Sequence, residues 1–174
     1  AWPPCHVPSS RTRTTIPSQP ICTHPHFIDY GCGTGRALYF THHFYQVPVT
    51  GIEVNADTFK LCEMNKKSYL AAHPSHQPID LFHMPAERYI LNEKHNTFYF
   101  FNPFSIDIFS QVMKQIVRSY HDSPRLMELI LYYPLAEYVD YLAYQTPFRR
   151  VKTIHLPWHD SKVDRFDIFQ TIGC

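Results

Sequence analysis

From Phe27 onward the chain alternates between short apolar runs and longer stretches with a 3.6-residue repeat, the rhythms of strands and helices. Residues 27–30 form a short apolar run that stops at glycines, which predicts a first strand. Residues 36–45 follow as a helix. Residues 47–54, rich in β-branched side chains, predict a second strand. Residues 56–72 predict a helix with Phe59, Leu61, Cys62, Met64 and Tyr69 as core contacts, stopped by Pro74. A third strand is predicted at 79–84. A fourth spans 97–101, an aromatic run of the kind buried on both faces. Ser105 is placed to cap a helix over 106–120, whose apolar stripe carries Ile108, Val112 and Ile116. A fifth strand at 126–133, a helix at 135–144, and strands at 148–156 and 165–172 complete the pattern.

Strand–helix alternation at this spacing predicts an α/β fold, a doubly wound and mostly parallel sheet of seven strands with helices on both faces. The last two strands have no helix between them, so they are expected to pair antiparallel. No internal repeat is visible. Residues 1–26 differ: they hold six of the fifteen prolines, no acidic residue and many Ser and Thr. Prolines at this density break any helix longer than two turns, which predicts an extended or disordered tail before a domain at 27–174. An amphipathic transit helix does not fit that composition.

Composition narrows the function classes. Apolar residues make up 44% and charged residues 18%, enough for a sizeable core. The net charge of +1 gives no surplus for binding bulk nucleic acid. No apolar run approaches the roughly 18 residues of a membrane span. Five scattered cysteines without CxxC spacing read as reduced thiols of a cytoplasmic protein, neither a disulfide framework nor a zinc site. The twelve histidines show no metal-ligand spacing, so no metal is expected.

Glycine placement points to the site. Four of the five glycines, Gly31, Gly33, Gly35 and Gly51, fall within 21 residues. The first strand runs into Asp29-Tyr30-Gly31-Cys32-Gly33-Thr34-Gly35-Arg36 and then a helix. Such a turn surrounds a ligand with backbone N–H groups and a helix N-terminus. The dinucleotide fingerprint is G-x-G-x-x-G, but here the spacing is G-x-G-x-G and Arg36 stands where its third glycine belongs. Asp29 would repel a pyrophosphate and suits a ligand bearing an ammonium group. Glu53 ends the second strand, where a carboxylate can accept both ribose hydroxyls.

Asp29-x-Gly31-x-Gly33-x-Gly35 followed by Gly51-Ile52-Glu53 resembles the first two motifs of class I S-adenosylmethionine-dependent methyltransferases. The resemblance extends in strand order from about Phe27 to the end, and implies a Rossmann-like methyltransferase fold. It also implies S-adenosylmethionine as cofactor, the glycine turn beneath its methionine part, Asp29 near its amino group and Glu53 on the ribose. After the third strand that family commonly has an Asp-Ala pair at the adenine. This chain reads His83-Met84-Pro85-Ala86-Glu87, so the acid is absent there. Glu87 is the substitute from two residues along, or a solvated start to a short helix. Met84, Pro85 and Ala86 offer apolar contact and backbone hydrogen bonds instead.

Asn102-Pro103-Phe104-Ser105 resembles the fourth motif of methyltransferases acting on amino nitrogens, with the usual second proline missing. The resemblance implies that Asn102 and the following carbonyl orient the target nitrogen and that Phe104 stacks on the substrate. A turn at a strand end is the other reading. Tyr132, Tyr133 and Pro134 end the fifth strand on the same sheet edge and line the substrate pocket or the core. Arg149, Arg150 and Lys152 read as a solvated sheet edge. Cys32 needs only to be small beside the glycines, not a nucleophile. The leading expectation is methyl transfer to an unidentified acceptor, nitrogen in a protein amine or small molecule by preference. The alternative is a non-catalytic cofactor-binding or scaffold module of the same fold. A nicotinamide-dependent oxidoreductase is disfavoured by the glycine spacing and Asp29.

Overall fold

The computed structural model describes residues 25–74, 77–156 and 164–172. Its strands are β1 (Phe27–Tyr30), β2 (Val49–Glu53), β3 (Ile79–His83), β4 (Thr97–Phe101), β5 (Glu128–Tyr132), β6 (Phe148–His155) and β7 (Arg165–Thr171). The helices are α1 (Arg36–Tyr45), α2 (Ala56–Ala72), α3 (Ile106–Asp122) and α4 (Ala136–Gln145), with one 3-10 turn at Ala86–Arg88. The strands pair into one sheet in the order β3-β2-β1-β4-β5-β7-β6. β1 to β5 run parallel, and β7 lies antiparallel to both β5 and β6. The doubly wound sheet with an antiparallel final pair is therefore present. Its strand order reverses between β1 and β4, the place where ligands settle in open α/β sheets.

Alternating side chains divide the core. Ile28, Tyr30, Phe98, Phe100, Leu129 and Leu131 pack with Phe109, Val112, Met113 and Ile116 of α3 and Tyr138 and Leu142 of α4. Phe27, Val49 and Ile79 pack with Leu38 of α1 and Cys62 of α2. The two layers differ in reach, because α1 and α2 rest on β1, β2 and β3. Beside them a cleft of about 440 Å³ opens over Phe27, Thr97, Tyr99, Glu128, Ile130 and Phe166. The aromatic run 97–101 is accordingly buried on one face only: Phe98 and Phe100 are fully enclosed, whereas Phe101 is 55% exposed.

Other local expectations shift for physical reasons. On α2 only Cys62 is buried; Leu61 and Met64 face solvent. Ser105 occupies the N-cap of α3 but its hydroxyl makes no capping bond, while Asn55 caps α2 by accepting from the N–H groups of Asp57 and Thr58 at 3.1 and 3.0 Å. β5 is shorter than the apolar run 126–133, because Tyr133 turns out of the strand with φ 56°. The edge strand β6 carries Arg149, Arg150 and Lys152; Arg150 lies 3.6 Å from the buried Asp167 carboxylate, which also accepts from Arg165 Nε at 3.1 Å and Thr153 Oγ1 at 2.7 Å. Of the segment 1–26, residues 1–24 lie outside the described residues. His26 is tied down: its N–H donates to Asn96 Oδ1 and its Nε2 meets Thr50 Oγ1, both at 2.9 Å.

Phe109 stacks on Tyr138 with centroids 3.7 Å apart and planes 10° from parallel. Phe109→Ala should cost about 3–5 kcal/mol by urea unfolding, the range for emptying a fully buried aromatic position.

Candidate active site

The turn after β1 passes through three glycines with φ of 78°, 56° and 87° at Gly31, Gly33 and Gly35, a conformation other residues rarely adopt. Its floor is fixed by the N–H groups of Gly31 and Cys32, which both donate to the Ile52 carbonyl at 2.9 and 3.0 Å. Two of the glycines answer to packing as well. A Cβ on Gly31 would lie 2.5 Å from Pro103 Cβ, so the β1 and β4 turns are in direct contact there. A Cβ on Gly35 would meet the Tyr39 ring at 2.5 Å and Cys62 Sγ at 2.9 Å. At Gly33 a Cβ would meet nothing within 4 Å, so this side of the turn faces open space.

Glu53 joins this turn to the next. Its Oε2 accepts from the Gly33 N–H at 3.0 Å and its Oε1 from the Asn55 N–H at 2.8 Å. Each carboxylate oxygen keeps a further lone pair for a ligand hydroxyl. Asp29, by contrast, is buried at 3% exposure, and burial, with Cys62 and Glu53 adding, pushes its carboxyl up to about 8. The Cys32 thiol is pushed up by its hydrogen bond with Cys62 and by burial, and it stays a neutral packing group against Gly51, where a Cβ would sit 2.9 Å from its sulfur. Cys32 and Cys62 are free thiols; Cys5, Cys22 and Cys174 lie outside the described residues.

The remaining sequence candidates fall in three places. Asn102 is exposed with φ 44°. Pro103 lies on Gly31, and the Phe104 carbonyl accepts from Tyr138 Oη at 2.6 Å. The Phe104 ring meets Phe100 edge-on and packs on the core. Ala86 is buried in that core at 7% exposure, and Glu87 is half-buried, its carbonyl accepting from Gln115 Nε2 at 2.6 Å. A cavity of about 770 Å³ brings together Asp29, Gly31, Cys32, Gly33, Thr34 and Arg36 with Tyr99, Phe101, Tyr132, Leu156 and Phe166. Phe101, Tyr99 and Phe166 were not singled out by the sequence. Only the β5–β7 register, which sets Tyr132 opposite Phe166, reveals the last of these. Among the described residues no group of three or more His, Cys, Asp or Glu is arranged to hold a metal ion.

Comparison with solved structures decides the fold. A magnesium protoporphyrin IX methyltransferase from Synechocystis with bound SAM superimposes with a TM-score of 0.60 at 13% identity, over 86% of this chain and 70% of that one. The fold is that of the S-adenosylmethionine-dependent methyltransferases. A SAM-dependent methyltransferase from Methanosarcina mazei gives 0.58 at 14% identity, over 85% and 92% of the two chains. The PH0226 protein of Pyrococcus horikoshii gives 0.61 at 13%, over 86% and 82%. No protein-family model and no curated protein sequence matches the chain. In this methyltransferase fold the glycine turn, Glu53 and Asp29 share the carboxyl edge of β1 and β2.

Asp29 makes stability depend on pH. Its folded value lies above the ordinary carboxyl value of 3.8, so the folded chain holds a proton that the unfolded chain gives up. Stability should therefore be full below about pH 4 on this account and fall as pH rises toward about 8. Asp29→Asn, which carries no titrating proton, should flatten the decline in melting temperature between pH 5 and pH 8 seen by scanning calorimetry. Parallel profiles for the two proteins would show that Asp29 ionises normally.

Proposed function

We propose that this chain is an S-adenosylmethionine-dependent methyltransferase acting on a nitrogen acceptor. The observation that carries the reading is the Glu53 carboxylate, held by the Gly33 and Asn55 N–H groups at the edge of the glycine turn. The residues fit the cofactor in chemistry as well as in fold. Glu53 keeps lone pairs for two ribose hydroxyls. Gly33 leaves open space over the turn for close approach. Asp29 offers the cavity a carboxyl that an ammonium group would hold ionised. Ala86 presents backbone rather than side chain to an adenine, since its methyl lies in the core, and Glu87 is the nearby carboxylate.

When bound, S-adenosylmethionine supplies an electrophilic methyl group on a sulfonium. The chain's own task is alignment and exclusion of water. Asn102 and the carbonyl after it orient the acceptor's lone pair toward that methyl. Pro103, lying on Gly31, sets the distance between the acceptor turn and the cofactor turn. Phe104 contributes through its carbonyl bond to Tyr138 and its edge contact with Phe100, which hold the turn in shape. The Asn102 conformation is one that Asn tolerates better than most side chains. The free thiols Cys32 and Cys62 accord with a cytoplasmic setting.

Calorimetry should show micromolar binding of S-adenosylhomocysteine and at least tenfold weaker binding of NADH. A hydrogen bond to a charged group contributes about 1.5–3 kcal/mol, so Glu53→Ala, which removes at least one such bond to the ribose, should weaken the former roughly 10- to 100-fold. Equal affinity for Glu53→Ala and the parent chain would remove Glu53 from the site.

Asn102→Gly removes the side chain without straining the backbone. Cofactor affinity should hold within about twofold while transfer of labelled methyl to amine acceptors falls by roughly 10²-fold, near 2.7 kcal/mol of transition-state stabilisation. Full-rate transfer in Asn102→Gly would leave the turn as architecture and the nitrogen assignment without support. Tight cofactor binding with no transfer to any acceptor would favour a scaffold.

A further inference from the structure

Three aromatic side chains line the sheet edge formed by the carboxyl ends of β4 and β5 and the amino end of the antiparallel β7, beside the glycine turn. Phe101 is 55% exposed, although it ends a central strand. Its ring lies 4.5 Å from that of Tyr132 and 6.2 Å from that of Tyr133. Tyr132 in turn stacks on Phe166 at 4.5 Å with planes 18° apart. Phe101, Tyr132 and Phe166 line the same cavity of about 770 Å³ as Asp29 and the glycine turn. That volume is in the upper part of the range of about 300–1,000 Å³ for small-molecule sites. It leaves room for a second molecule beside a cofactor.

The wall is set before any ligand arrives. Sheet register places Phe101 beside Tyr132 and Tyr132 opposite Phe166. The Tyr132 hydroxyl donates to Oδ1 of the buried Asp164 at 3.1 Å, and the Tyr133 N–H donates to the Arg165 carbonyl at 3.1 Å. The rings therefore present fixed faces, and a flat ligand loses little on meeting them. Charge narrows the choice further. Among the described residues the charged side chains lining the cavity are Asp29 and Arg36, and Asp29 belongs to the turn end. Among the described residues no carboxylate lines the aromatic end, and the Asp164 carboxylate is engaged by the Tyr132 hydroxyl. A cationic guest there meets π-faces without a lining carboxylate, and also the cofactor's own positive sulfonium. An aromatic guest has π-faces to stack on, worth more than its buried area alone.

We propose that Phe101, Tyr132 and Phe166 form the acceptor-binding wall and that the acceptor is a neutral planar aromatic molecule methylated on an amino substituent. This rests on the methyltransferase reading above. In the transfer, the amino nitrogen's lone pair forms the bond to the methyl carbon while the carbon–sulfur bond breaks. Sulfur keeps that electron pair, and the nitrogen releases a proton to water. Because Asn102 directly follows Phe101, a ring stacked on Phe101 brings its substituent to the Asn102 turn.

The test uses the full chain, 8-aminoquinoline as planar probe and cyclohexylamine as aliphatic control. S-adenosylhomocysteine is titrated first, and the probes follow on both saturated and ligand-free protein. On saturated protein 8-aminoquinoline should bind at least tenfold more tightly than cyclohexylamine. Phe101→Leu and Phe166→Leu should each weaken it fivefold or more, with S-adenosylhomocysteine affinity and melting temperature essentially unchanged. No preference for the planar probe, or unchanged binding in folded Phe101→Leu, would overturn the proposal. Absence of S-adenosylhomocysteine binding would instead overturn the methyltransferase reading, while planar-probe selectivity on ligand-free protein would still decide whether the wall exists.

Discussion

The absent side chain at Gly31 is the constraint on which the rest of the site depends. It lets Pro103 come to 2.5 Å from where a Cβ would be, so the turns after β1 and β4 form one surface at the reversal of strand order. Tyr138 extends that surface by donating to the Phe104 carbonyl, which ties α4 to the β4 turn. Glu53 extends it the other way by accepting from Gly33 and Asn55. Three strand ends and one helix are thereby fixed relative to each other by a single packing contact and three hydrogen bonds. Under the proposed function, a cofactor on the first turn and an acceptor on the second would meet at a distance set by the backbone, which is the requirement of a reaction catalysed by alignment.

The two carboxyl groups of this surface have different surroundings and so different chemistry. Glu53 is half-buried and bound by backbone N–H groups at both oxygens. Asp29 is enclosed, and its carboxyl is pushed up to about 8, first by burial. A carboxyl raised in this way would give up its proton if a cation came to lie beside it, which would couple such binding to proton release. With the proposed nitrogen acceptor no general base would be needed, because an amino nitrogen that attacks as a neutral lone pair loses its proton afterwards to water.

Much of this was legible in the sequence, since strands and glycine turns announce themselves locally. The runs at 27–30 and 97–101 and the helices at 36–45 and 56–72 form over those residues. What was not legible depends on how far each helical layer reaches. The sequence shows Tyr99 and Phe101 as members of an apolar run, but not that α1 and α2 rest on β1 to β3. Nor does it show that Ala86 packs into the core while Leu61 and Met64 face solvent. Phe166 joins the site only through the antiparallel register with β5, a contact 34 residues distant from Tyr132 along the chain. Local pattern carries periodicity; it does not carry coverage.

Several positions where local rules are broken converge on one cavity. Asp29 is a buried acid. Arg36 is a cation in the first turn of α1, a turn with no acidic residue, where the helix dipole disfavours positive charge by about 0.3–1 kcal/mol. Phe101 is an aromatic side chain left half in solvent at a central strand end, and Asn102 and Tyr133 hold positive φ without being glycine. Each departure costs stability, and scattered departures would be unremarkable in a folded chain. Asp29, Arg36 and Phe101 line the same cavity, while Asn102 and Tyr133 directly follow strand ends on its edge. Other departures lie away from that cavity, since Gln46 also holds positive φ after α1 and Asp167 is a buried acid held by Arg165 and Thr153. Arg125 is satisfied by carbonyls of Asn92, His95, Ser119 and Ser123, and no enclosed polar side-chain atom among the described residues lacks a partner. Conflicts gathered around one cavity point to residues that folding alone does not explain, and here they include the glycine turn and the aromatic side chains beside it.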